Sequence, residues 1–293
     1  MKSAVIIGGG PAGCQCALWL DLLGHKTLII ESSKRLGGGL AYGEGHGSGI
    51  VGMMGLSSVG IADQMQQHIL SKPIPILFET KIESVEKKDS IFIIKTKNQQ
   101  VQAHAIVIAT GTRFSDGNFP KKEGIIIGPG FAFSNCDFAG KKVAILGGGT
   151  YAFMSYVSVI KKGAVHCHLY ARTIKADRNR VVKVSPSDLK LGAYNVDPDR
   201  MYVGSEHYDV IVVMYGFIPN FPKELEFWKG EIARENQSII TDQFCQTPVA
   251  GIFAIGDVTQ RAYPCIATAV ADGAVAAKAI QKMVESKMCI EES

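Results

Sequence analysis

AVIIGGGPAG, residues Ala4 to Gly13, and VAILGGGTYA, residues Val143 to Ala152, decide the fold. In each, a β-branched apolar run meets three glycines and then opens a helix-compatible segment, so the chain carries one pattern twice. Each copy is followed by an apolar helical stretch and a second short strand, Thr27 to Ile30 and Val165 to Tyr170. The result is two β-α-β units, an α/β fold with two Rossmann-like nucleotide-binding domains.

The first copy spaces Gly8, Gly10 and Gly13 as G-x-G-x-x-G around Pro11 and Ala12, and Glu31 ends the next strand at the ~20-residue offset of ribose recognition. Gly8 permits the turn, Gly10 lets backbone N–H groups approach a pyrophosphate, and Gly13 lets helix and strand pack closely. The helix N-terminus adds partial positive charge. Glu31 would accept hydrogen bonds from ribose hydroxyls. The second copy has Gly147 and Gly149 with the small Ala152 at the third position. Counted as Glu31 is, its acidic position falls on Tyr170, and Arg172, Lys175, Arg178 and Arg180 follow. A carboxylate there would repel a 2′-phosphate, whereas guanidinium binds one bidentately, so NADPH is favoured and NADH remains possible. Asp177 inside the run keeps open the alternative of a solvated basic loop.

Around these units, Lys81 to Ile108 alternates with polar breaks at Lys88 to Ser90 and Lys97 to Gln100, which reads as a small antiparallel meander inserted into the first domain. A strand over Asp209 to Met214 precedes GFIPN. The tail, Gly251 to Ile280, gives a strand, the pair Gly256 and Asp257, and an Ala-rich helix. The chain has 293 residues, 46% apolar and 20% charged, enough for two domains at roughly 150 residues each. Lys plus Arg is 31 and Asp plus Glu is 27, a balance of +4 that is too small and dispersed for a nucleic-acid binder. Seven cysteines, Cys14, Cys16, Cys136, Cys167, Cys245, Cys265 and Cys289, contain no Cys-x-x-Cys and no zinc-like spacing, so no metal is expected and a reduced, cytoplasmic setting fits. No signal peptide is visible, and the weakly polar stretch Cys265 to Ile280 falls short of the ~20 residues of a membrane span. Cys14 and Cys16 read as packing cysteines, Met53 and Met54 as packing rather than metal ligands, and His46 as a polar side chain on a loop or a ligand contact.

Taken in order, IIGGGPAG, ESSKRLGGGL, VIATG, NCDFAGKKVAILGGG, MYGFIPN and GIFAIGDV resemble the low-molecular-weight thioredoxin reductase branch of FAD- and pyridine-nucleotide-dependent oxidoreductases. The resemblance spans nearly the whole chain. It implies a discontinuous FAD domain, residues 1–112 and 240–293, with an NAD(P)H domain, residues 113–239, inserted between, and hinges at Gly111 to Asn118 and near Gln243. It places FAD on Gly8, Gly10, Pro11, Ala12, Gly13, Glu31, Gly38, Leu40, Ile82, Ala109, Thr110, Gly111, Gly256, Asp257 and Ile266. NADPH falls on Gly147, Gly149, Ala152 and Arg172. A homodimer is implied by resemblance alone.

The family's redox pair is Cys-x-x-Cys followed by Asp, and here the segment reads Phe133, Ser134, Asn135, Cys136, Asp137. The first cysteine is Phe, so a thiol–disulfide relay has no resolving partner there. Cys136 would face the flavin as a single catalytic thiol with Asp137 as proton donor, or else pack as an inert hydrophobe. Cys265 stands where the family usually has glutamine. The expected activity is hydride transfer from NADPH to FAD and on to a non-thioredoxin acceptor: a small disulfide or sulfur compound, a quinone, or ferredoxin or flavodoxin. The competing readings are a ferredoxin-NADP reductase-type enzyme with Cys136 silent, and a non-catalytic flavin- and nucleotide-binding redox sensor.

Overall fold

The computed structural model describes residues 2–43, 49–228, 232, 234–235, 237–261 and 263–291. In chain order the first elements are β1 (Lys2–Ile7), α1 (Pro11–Leu22), β2 (Thr27–Ile30), α2 (Ser58–Leu70), β3 (Ile76–Leu77), β4 (Ile82–Lys88), β5 (Ile91–Thr96), β6 (Gln100–Ile108) and β7 (Thr112–Phe114). Then come β8 (Ile125–Ile127), α3 (Phe131–Ser134), β9 (Lys142–Leu146), α4 (Thr150–Lys161), β10 (His166–Ala171), α5 (Arg178–Val181) and β11 (Leu189–Leu191). Short strands β12 (Val196–Asp197), β13 (Tyr202–Val203) and β14 (Glu206–His207) precede β15 (Val210–Val213) and β16 (Phe217–Pro219). The chain closes with β17 (Arg234–Glu235), β18 (Ser238–Ile239), β19 (Ile252–Ala254) and α6 (Ile266–Glu291). Two compact units result: Met1–Thr112 with Pro219–Ser293, and Arg113–Ile218.

The repeated pattern produces repeated structure. Helices α1 and α4 are each 12 residues long and start at a glycine N-cap without a side-chain cap. Each ends before a left-handed glycine, Gly24 (φ +79°) and Gly163 (φ +84°), with paired carbonyl-satisfying bonds such as His25 N–H to Leu20 O at 2.9 Å and Gly163 N–H to Ile160 O at 3.0 Å. The strands alternate in the same way. Ala4 and Ile6 of β1 face α1 and α6, while Val5 and Ile7 enter the layer on the opposite face. Val143 and Ile145 of β9 face α4, while Ala144 and Leu146 pack with Tyr170, Val203 and Tyr208. Each fully buried Ile or Val contributes about 1.5–3 kcal/mol, so a one-residue slip is excluded.

In the first unit the sheet runs β3-β2-β1-β6-β5-β4, and β19 also pairs with β6. The expected meander is present, but it is not a separate insertion. Its third strand, β6, is shared: Gln100 to Ala103 pair antiparallel with β5, and Ala103 to Ile108 pair parallel with β1. Burial along β6 switches accordingly, from alternating to continuous. Beyond Ala105, β19 takes the place beside β6 that β5 vacates, pairing Ile252 to Ile106 through Ala254 to Ile108. The second unit is a parallel sheet of order β11-β10-β9-β15-β8, with β12 to β14 as a separate antiparallel sheet.

The return to the first unit comes at residue 219, earlier than the position near 240 that the sequence reading assigned, and away from Gln243. The cause is burial: Leu225 and Ile239 are both fully buried in the core of the first unit, with Ile232 1% exposed beside them. The outgoing and returning connections, β7 and β16, are hydrogen-bonded to each other.

Candidate functional site

The first glycine loop is shaped by contacts only glycine allows. Gly8 sits at φ +107°, and a Cβ there would lie 2.5 Å from Ala109 O; one on Gly13 would lie 2.0 Å from Gly8 O. Gly10 differs. A Cβ on it would meet only Gly38 Cα, at 3.8 Å, so this glycine keeps a surface open where the first turn of α1 presents its uncapped N–H groups. Gly38, at φ +55°, approaches Gly10 to the same end, and Leu40 follows half-buried in that turn.

Glu31 is 7% exposed and already engaged: Oε2 accepts from Gly9 N at 2.7 Å and Oε1 from Ser33 N at 2.7 Å. It thereby fixes the glycine loop to the end of β2, a role its spacing alone did not disclose. Ser32 Oγ also donates to Oε1, at 3.4 Å, so of the about four acceptor sites of a carboxylate one stays open to a further donor.

Opposite it, the ends of β6 and β19 bring further polar groups to the same edge of the sheet. Thr110 Oγ1 and Asp257 Oδ1 are buried without a partner. Burial raises the Asp257 carboxyl above its ordinary range, with Arg261 opposing. Gly256, at φ +72°, brings this turn against α1, its Cβ position 3.0 Å from Ala12 Cβ. Gly256 N–H donates to Asp272 Oδ2 at 2.9 Å, and Asp272 pairs with Arg261. Neither Asp272 nor Arg261 carried a local motif. Gly111 O accepts from Asn220 N at 2.9 Å, which ties the GFIPN segment to this turn. An open glycine cradle at a helix N-terminus, a spare-capacity glutamate and orphaned hydroxyl and carboxylate oxygens suit the pyrophosphate, ribose and ribityl groups of FAD. Ala109 lies within the turn, while Ile82, 4% exposed, commits its side chain to the core, and Ile266 opens α6.

The second unit repeats the arrangement. Gly147, at φ +145°, would place a Cβ 2.3 Å from Met214 O, whereas one at Gly149 would meet nothing within 4 Å. Gly149 is thus the open position at the uncapped start of α4, and Ala152 is fully buried against the strand. Gly147 N–H donates to Tyr170 O at 2.8 Å and Lys175 N–H to Gly148 O at 2.7 Å, so glycine loop and basic loop are one assembly. Asp177 caps α5 through Arg180 N and pairs with the Arg180 guanidinium. Among the described residues Arg172, Lys175 and Arg178 carry no ion pair.

Phe133 occupies the position of the missing cysteine as a core residue, 1% exposed, its ring 5.4 Å from Phe138. Cys136 is half-buried, and its thiol donates to Asp137 O at 3.6 Å. Burial raises the Cys136 thiol, with Lys141 and Lys162 opposing and Asp137 adding to the rise, so the net effect disfavours the thiolate. Asp137 is exposed, its Oδ1 accepting from Ala139 N at 3.0 Å. Cys14 and Cys16 are core residues, the Cys14 thiol pushed up to about 12 by burial. Cys265 is exposed and its thiol lowered by the Thr268 hydroxyl at the start of α6. Met54 does not pack, being 94% exposed, while Met53 is half-buried. His46 lies outside the described residues. Among those residues no group of three His, Cys, Asp or Glu could hold a metal, and no helix is long and apolar enough to cross a membrane.

Comparison with known proteins agrees with this geometry. The profile of the pyridine nucleotide-disulphide oxidoreductase family matches residues 126–273, a second profile of the same description matches residues 55–190, and an FAD binding domain profile matches residues 3–72. The chain is 26% identical to a ferredoxin–NADP reductase of Pediococcus pentosaceus, over 96% of this chain and 93% of that one. It is 28% identical to the 34.2 kDa protein in the rubredoxin operon of Clostridium pasteurianum, over 97% of each. The structure of Lactococcus lactis thioredoxin reductase superposes with a TM-score of 0.79 at 22% identity, covering 98% of this chain and all of that one, which is a likeness of fold.

Proposed function

The chain belongs to the pyridine nucleotide-disulphide oxidoreductase family and is an FAD- and NADPH-dependent oxidoreductase, and on that premise we propose that its electrons pass to a small redox protein of the ferredoxin kind. The observation that carries this reading is the pairing of two open glycine cradles with a disabled dithiol. Phe133 is core, Cys136 is a partly covered thiol that burial shifts away from the thiolate, and no second cysteine accompanies it. The ferredoxin–NADP reductase relative supports the acceptor class.

Bound FAD supplies the exchange between two-electron hydride chemistry and one-electron delivery. The protein holds and orients. We assign the first unit to FAD, with Gly10 and the first turn of α1 at the pyrophosphate, Glu31 at the ribose, and Thr110 and Asp257 at the hydroxylated chain. We assign the second unit to NADPH, with Gly149 and α4 at the pyrophosphate and Arg172 at the 2′-phosphate. The unpaired state of Arg172, Lys175 and Arg178 favours NADPH over NADH, since Asp177 is taken by Arg180. The cysteine usage suits a reduced, cytoplasmic setting, and the working form is a homodimer by resemblance, which light scattering checks.

The test is steady-state reduction of ferredoxin by the FAD-loaded enzyme and its Cys136→Ser variant. The variant is expected to keep kcat within about twofold. A loss of turnover of a hundredfold would instead return Cys136 to the electron path.

A further inference from the structure

On the face of the second sheet opposite α4 lie two clefts of about 340 and 320 Å³, each within the ~300–1,000 Å³ range of small-molecule sites. One is lined by Tyr170, Lys190, Tyr194 and Asn195, the other by Arg172, Tyr194, Tyr215 and Gly117. Tyr194 is the wall they share.

The strand register explains why they meet. Parallel pairing sets Lys190 of β11 beside Tyr170 of β10, and cross-strand partners point to the same face. Arg172 is the first residue beyond β10. The Tyr194 ring stands 5.4 Å from that of Tyr170, and its hydroxyl is 3.3 Å from that of Tyr215. The ring is thereby held from two sides, in a wall that both clefts share. Lys190 is half-buried and Arg172 exposed, and among the described residues neither side chain has an ion pair or side-chain hydrogen bond. Neither set of lining residues includes a carboxylate. Two unpaired cations beside a fixed aromatic face, tied to the glycine loop through Gly147 N–H and Tyr170 O, suit an anion with a flat, stackable neighbour.

We propose that Lys190 is a specificity-determining residue of the coenzyme site: with Arg172 it grips the 2′-phosphate from the neighbouring strand, and Tyr194 is the platform for the adenosine. The inference rests on the NADPH reading above and goes beyond it, since a basic loop after β10 accounts for Arg172 but gives no role to β11.

The test is calorimetric binding of 2′,5′-ADP and 5′-AMP to the FAD-loaded protein. Lys190→Met keeps the aliphatic stem and removes the charge, so the fold is retained. It is expected to raise the Kd of 2′,5′-ADP about tenfold or more, the worth of one charge-assisted hydrogen bond, and to leave 5′-AMP within about twofold. Lys190→Arg should restore most of the loss, and Tyr194→Ala should weaken both ligands together. If Lys190→Met keeps the full preference of the wild type while Arg172→Ala abolishes it, this inference fails and the coenzyme reading stands. If the wild type itself does not prefer 2′,5′-ADP, both fail.

Discussion

Glu31, proposed above to hold the ribose, also holds the fold. Its two oxygens hold the N–H groups of Gly9 and Ser33, one on each side of the crevice between β1 and β2. Glu31→Ala leaves the buried Gly9 N–H unsatisfied, which costs about 1–3 kcal/mol. Urea unfolding of the flavin-free protein should show that loss, separately from weaker FAD binding. Asp257 acts in the opposite sense. Burial raises its carboxyl, so the folded flavin-free protein holds that proton more tightly than the unfolded chain. The contribution to stability is therefore full below the usual carboxylate pKa of about 3.9 and is lost as pH rises through the raised value. Asp257→Asn should remove that part of the pH dependence, stabilise the flavin-free protein at neutral pH, and weaken FAD binding. Unfolding midpoints measured from pH 3 to 8 check the sign.

The two glycine-loop helices divide their glycines into those that make the turn and those that make room. Gly147 cannot accept a side chain without striking Met214 O, whereas Gly149 faces open space. Gly149→Ala is accordingly expected to leave the melting temperature within a few degrees and to raise KM for NADPH about tenfold or more, by blocking the approach of the pyrophosphate to α4. Gly147→Ala should unfold the second unit instead. Circular dichroism melts beside coenzyme titrations separate the two outcomes. The left-handed glycines that end α1 and α4 complete the repeat, so each β-α-β unit is specified from its first strand to the end of its helix by a short stretch of chain.

Across the whole chain, what was legible in the sequence was what is local: the glycine loops, the hydrophobic alternation of β4, β5 and β6, and the long closing helix. What was not legible depends on residues far apart in sequence. The sharing of β6 between two pairings, the burial of Leu225 and Ile239 that moves the return crossing to residue 219, and the Arg261–Asp272 pair that supports Gly256 all arise only when distant segments meet. The role of Phe133 falls between: its identity ruled out a dithiol from sequence, while its place in the core beside Phe138 appears only in the structure. The most direct measurement is anaerobic rapid mixing of the FAD-loaded enzyme with NADPH, followed by oxidised ferredoxin or oxidised thioredoxin. The account predicts that NADPH bleaches the flavin, that ferredoxin restores its colour, and that thioredoxin leaves it bleached. Flavin that NADPH fails to bleach, or that thioredoxin reoxidises as fast as ferredoxin does, would contradict it.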